Sequence, residues 1–106
     1  MLGGDTARAR RFVRSELGPL AEDDDEAARL RITLKVYLEE SGSRVATARR
    51  LNVHPNTVAN RVQTCRDMLD RSLGDRRVQL EVALALAELL GPAVLRADEA
   101  RRGAPV

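Results

Sequence analysis

The sequence predicts an all-α domain of about five helices that contains a helix-turn-helix. Three observations predict it. Apolar residues recur at helical spacing from end to end, and no alternating run reads as a strand. Breaker pairs at Gly18-Pro19, Ser41-Gly42 and Gly91-Pro92 divide the chain into segments of helix length. The 106 residues, 43% apolar and 32% charged, have a globular composition sized for one core.

The first helix is expected over about 6–17, ending at Gly18-Pro19, so that 1–20 is an N-terminal helix and its breaker. An acidic turn follows, Glu22-Asp23-Asp24-Asp25-Glu26. It lacks the Gly-containing spacing of a calcium loop and reads as a helix start, where acids favour the dipole. The second helix, about 24–40, carries Leu30, Leu34, Tyr37 and Leu38 on one stripe and exits at Ser41-Gly42. Ser43 caps a short third helix over 44–51, and Asn52-Val53 makes a tight turn. A fourth helix opens near Pro55, whose missing N–H costs nothing at a first helical position, and runs to about 69 or 71. A polar loop around Gly74 leads to a fifth helix over 77–90. The helix-turn-helix domain is thus 21–91, with the motif at 44–70. Residues 92–106 are expected to be a C-terminal tail, frayed from about Asp98 onward.

The fifth helix is apolar around most of its circumference, through Val78, Leu80, Val82, Leu84, Leu86 and Leu89 among others. Such a helix is either central to the core or covered by a partner. Full coverage by so short a chain is hard, so the 77–90 helix is expected to serve a homodimer or to dock on another domain, with simple core packing as the alternative.

Composition excludes several classes. Phe12 and Tyr37 are the only aromatic residues, too few for a base-stacking platform. Cys65 is the only cysteine and His54 the only histidine, so an internal disulfide, a cysteine-based zinc site and a histidine-cluster metal site are all ruled out. No cofactor is expected, no nucleophile–base pair suggests an enzyme, and no apolar run is long enough for a membrane span. The expected compartment is the cytoplasm. Net charge is +2, but residues 43–77 hold eight arginines against three aspartates while both flanks are acidic. A basic middle third suits phosphate attraction, and equally a solvated arginine-rich face.

Residues 44–66 read RVATARRLNVHPNTVANRVQTCR. A helix pair that sets its second member in a DNA major groove needs a small residue where the axes approach, a turn residue tolerant of positive φ, and apolar residues closing the angle. Ala48, Asn52, and Leu51, Val53, Val58 and Val62 meet these needs. At 100° per residue, Val58, Val62, Cys65 and Leu69 form the buried stripe of the fourth helix. Cys65 is therefore read as a small core hydrophobe and not as a redox sensor. Asn56, Asn60, Gln63 and Asp67 lie opposite. Asn and Gln can make paired hydrogen bonds to adenine N6 and N7, so the three amides are candidate base readers, ordinary surface polarity being the alternative. Asp67 would repel phosphate. Arg44, Arg49 and Arg50 on the bracing helix, Thr57 in the first turn, and Arg61 on one flank are the candidate phosphate contacts, with Arg66 on the other flank. Arg61 has a second reading as the partner of an acid elsewhere. His54 is expected to cap the helix and not to act as a catalytic base.

With these residues in view, the run TLKVYLEESGSRVATARRLNVHPNTVANRV resembles the C-terminal helix-turn-helix domain of PucR-type transcriptional regulators. That family is related to the sugar-diacid regulators and more loosely to the Fis-type fold. The resemblance rests on LGPL at 17–20, TLKVYLE at 33–39, LNVHPNTV at 51–58, Arg61 and the apolar last helix, and it covers roughly 12–91. It implies bacterial, sequence-specific binding of double-stranded DNA, with effector-sensing domains N-terminal to this one on which the 77–90 helix is expected to dock if it does not form a homodimer, so the chain resembles a C-terminal fragment or an unusually short protein. The family commonly has Arg then Tyr after Val58, where this chain has Ala59 and Asn60. Gln63 and Thr64 stand where a basic pair is usual. The fourth helix is less basic than typical, which shifts phosphate contact to the bracing helix. The second function considered is a protein-interaction or dimerisation module whose helix-turn-helix is vestigial.

Overall fold

The computed structural model describes residues 2–96. Five α-helices run in the order α1 (Leu2–Leu17), α2 (Asp25–Glu39), α3 (Arg44–Leu51), α4 (Pro55–Leu69) and α5 (Arg77–Leu90), with short 3-10 turns at Gly18–Ala21 and Gly91–Ala93. No strand occurs among the described residues, only an isolated bridge between Glu22 and Arg96. The all-α expectation holds, and no described helix is long and apolar enough to cross a membrane.

Local chemistry sets the boundaries. Asp24 caps α2, its Oδ1 accepting from the Ala27 N–H at 2.8 Å, so the acidic turn serves as a helix start. Ser43 caps α3 through the Ala46 N–H at 3.1 Å, and each such cap is worth about 1 kcal/mol. Asn52 takes the left-handed conformation, φ 57° and ψ 48°, that the tight turn requires. The α1 helix begins at Leu2, four residues before the expected start.

The core gathers Val13 and Leu17 of α1, Leu20, Leu34 of α2, Val58, Val62 and Cys65 of α4, and Leu80 of α5. Sequestering a side chain of this kind stabilises by about 1.5–3 kcal/mol. Residues 92–96, the first part of the segment expected to be a tail, fold back instead. Val94 and Leu95 enter the core, while the Asp23 N–H donates to the Arg96 carbonyl at 2.7 Å and the Arg96 N–H to the Ala21 carbonyl at 2.6 Å. Two adjacent apolar residues seeking cover override the breaker at Gly91-Pro92. The rest of that expected tail, 97–106, lies outside the described residues. The loop after α4 also differs from a purely polar one, because Leu73 is buried within it.

Candidate nucleic-acid interface

The helix pair α3 and α4 is closed tightly. Ala48 is buried at the approach of the two axes, and its carbonyl accepts the Val53 N–H at 3.0 Å across the turn. A larger side chain at Ala48 would push the helices apart. His54 opens α4 as expected, Nδ1 accepting from the Asn56 N–H at 3.0 Å. Nδ1 must then be unprotonated, which puts the ring proton of the neutral imidazole on Nε2.

The expected buried stripe of α4 is closed at three of its four positions, and Leu69 at its end is only half-buried. Val58, Val62 and Cys65 are fully buried, while Asn56, Asn60 and Gln63 are exposed on the far side. Burial pushes the Cys65 thiol up to about 12, and its Sγ lies 3.7 Å from the Leu30 carbonyl. Asn56 and Asn60 have no side-chain hydrogen bond among the described residues. Gln63 donates from Nε2 to Asp67 Oδ1 at 3.0 Å, which leaves its amide oxygen and second N–H available.

The cations divide in a way that composition does not reveal. Arg44 and Arg49 are exposed and make no ion pair among the described residues. Arg50 is engaged: Nη1 sits 2.9 Å from Glu39 and 3.0 Å from Glu40, tying α3 to the end of α2. Those contacts hold the Arg50 guanidinium above its ordinary range, and Glu39, hydrogen-bonded first by Lys35 and then by Arg50, sits below the usual carboxylate range. Arg61 is half-buried, and its Nη1 donates to the Thr33 hydroxyl at 3.4 Å, so its partner is a hydroxyl where an acid was the alternative. Thr57 is half-buried in the first turn of α4. Arg71, Arg76 and Arg77 lie outside this surface, paired with Glu16, Glu16 and Glu81.

One cation escaped the sequence reading. Arg29 of α2 is exposed and lines a shallow cleft with Asn60, Arg61 and Thr64. Thr33 joins the two arginines: its hydroxyl donates to the Arg29 carbonyl at 2.9 Å and accepts from Arg61. Arg29 lies well before the 44–66 segment, and only its one-turn step to buried Thr33 signals it. The amide face of α4 therefore has Arg29 and Arg61 on one side, and exposed Arg66 on the other. No group of three or more potential metal-ligating side chains occurs among the described residues.

The chain matches known sequences over the same elements. A purine catabolism regulatory protein from Bacillus subtilis (strain 168) is 42% identical over 77 residues, which is 73% of this chain and 14% of that protein. A protein described as uncharacterized, in the pkwA 5' region of Thermomonospora curvata, is 35% identical over 83 residues, 78% of this chain and 46% of the relative. The chain thus spans less than half the length of either. No solved structure matches it. The sequence model of the PucR C-terminal helix-turn-helix domain matches residues 30–87, from the middle of α2 to near the end of α5. That is more than half of the chain, which therefore belongs to the PucR C-terminal helix-turn-helix family of transcription regulators.

Proposed function

We propose that this domain binds double-stranded DNA sequence-specifically, with α4 in the major groove and α3 bracing it from the backbone. One observation carries the reading: Asn56, Asn60 and Gln63 stand exposed on the side of α4 opposite its buried valines, and Arg44 and Arg49 of α3 are exposed with no ion pair among the described residues. The amides read base edges. Arg44, Arg49, Thr57 and Arg61 hold phosphates, joined by Arg29. Arg50 joins them only by exchanging its two carboxylates for a phosphate. The domain acts at the nucleoid in the cytoplasm, within a bacterial regulator, as the name of the Bacillus relative supports.

A second use is favoured by a separate observation. Val78, Val82 and Leu89 are exposed on α5, so this helix serves as an interface beside the DNA surface. The competing function is a pure interaction module with an idle helix-turn-helix. Fluorescence anisotropy on duplex DNA at two ionic strengths separates them. DNA binding is expected to weaken steeply as salt rises and to favour a selected sequence over random duplex. No binding at low salt would leave only the interaction module.

A further inference from the structure

Four apolar side chains of α5 share one outward strip, and Leu90, 43% exposed, lies to one side of it. Val78, Val82 and Leu89 are 66%, 44% and 79% exposed, and Ala85 is half-buried among them. Their steps along the chain are four, three and four residues. At 100° per residue they occupy a strip about 60° wide, opposite the buried Leu80, Ala83, Leu84 and Ala87. This is the alternation with which one helix seats along another. Across the shallow groove between α5 and α2, Ile32 extends the apolar ground and is 54% exposed.

We propose that this seam is the contact between two copies of the chain, related by a two-fold axis that sets α5 antiparallel to its counterpart. The proposal rests on the interface part of the functional reading and is independent of DNA.

Packing and charge both select this arrangement. A two-fold axis midway between Ala83 and Leu84 sets Val82 opposite Ala85 of the second copy, and Val78 opposite Leu89. Every layer then combines a larger with a smaller side chain, as close packing demands. A parallel pair stacks Ala85 on itself and leaves a void there.

Glu81 and Glu88 flank one side of the seam, and the antiparallel register brings Glu81 of one copy beside Glu88 of the other. Bare carboxylates would repel, but each arrives with a cation beside it. Arg77 Nε is 2.9 Å from Glu81, and Lys35 Nζ, which also holds Glu39 at 2.6 Å, is 3.2 Å from Glu88. The flank thus carries arginine and lysine charge against its acids, which lowers their repulsion across the junction. A parallel pair instead presses Glu81 against Leu86 of the second copy and desolvates an acid on an apolar side chain. The face is self-complementary, as a two-fold interface requires.

Sedimentation of the full chain over a concentration series is expected to show a monomer–dimer equilibrium. Val82→Glu is expected to raise the dimer dissociation constant about tenfold or more, with far-ultraviolet circular dichroism unchanged. Orientation is read by cysteine pairing. Val78→Cys and Leu89→Cys chains, mixed and oxidised, are expected to give a mixed disulfide dimer, and neither chain alone should crosslink. Antiparallel helices separate each position from its own copy by about 16 Å along the axis, beyond disulfide reach. A wild-type chain monomeric at every concentration, a folded Val82→Glu chain that stays dimeric, or self-crosslinking of the Val78→Cys chain overturns the proposal. A dimer that binds no DNA supports it while sinking the DNA reading. Salt-dependent DNA binding by a strict monomer does the reverse.

Discussion

Arg71, just beyond the end of α4, reaches Glu16 near the end of α1. Its Nη2 lies 3.3 Å from the carboxylate and 3.1 Å from the Glu16 backbone carbonyl. Arg76 closes the other side, its Nη2 2.6 Å from the second carboxylate oxygen. The Glu16 side chain is almost wholly removed from solvent, yet both its oxygens are satisfied. This cluster joins the N-terminal helix to the exit of α4 and to the start of α5, so three elements meet at one carboxylate.

The Glu16 cluster predicts a specific acid sensitivity. The hydrogen bond from Arg76 holds the carboxyl below the usual carboxylate range, aided by the charges of both arginines and opposed by burial. A carboxyl lowered in the folded state stabilises fully above its unfolded value, and that contribution is lost as pH falls through the folded value. Glu16→Gln is therefore expected to cost about 2 kcal/mol at neutral pH and to flatten the acid limb of the stability curve. Thermal unfolding between neutral pH and strong acid checks this. Wild-type and variant curves that stay parallel throughout would disprove the linkage.

Asn60 and Arg49 are predicted to fail differently. Asn60→Ala should cost about 1–3 kcal/mol at one base position and relax preference there, because the paired amide contact proposed for Asn60 would be lost. Arg49→Ala should weaken all sequences alike and lower the slope of log affinity against log salt by about one. Titrations on selected and random duplexes measure both. Equal losses on the two duplexes for both variants would refute the division between reading and anchoring.

Cys65 is predicted to be inert in the folded chain. Its thiol is raised to about 12 by burial between α4 and α2, so almost no thiolate forms near neutrality. Alkylation should be slow in the native state and fast in denaturant, with the native rate tracking global opening. Fast native labelling at neutral pH would mean that the buried stripe of α4 is not closed.

The motif was legible because its signals are local. The positive φ of Asn52, the caps at Ser43 and His54, and the four-three spacing of Val58, Val62 and Cys65 each act within about one helical turn. The same periodicity placed the amide face of α4. Long-range pairing was not legible. Glu16 meets Arg71 and Arg76 at separations of 55 and 60 residues, and no repeat in the chain encodes that choice. Arg50 looked like every other arginine of the basic segment until α2 brought Glu39 and Glu40 beside it. The Val94-Leu95 strap was hidden because a Gly-Pro breaker ends a helix without ending the packed chain.

That fate of Arg50 leads to a prediction about the phosphate contact proposed for the domain. With Glu39 and Glu40 both on its guanidinium, Arg50 meets a phosphate only by giving up two charge-assisted hydrogen bonds. Replacing both carboxylates, Glu39→Gln with Glu40→Gln, should free it. Affinity for any duplex is then expected to rise at low ionic strength, and the salt slope to steepen by up to about one phosphate contact. Removing acids raises affinity by net charge alone, so the comparison is a cycle with Arg50→Ala. If the gain works through Arg50, the substitution costs little affinity in the wild type and abolishes most of the gain in the double variant. If Arg50→Ala subtracts the same amount from both, the carboxylates act only through the general field, and Arg50 has no suppressed role at the phosphate backbone.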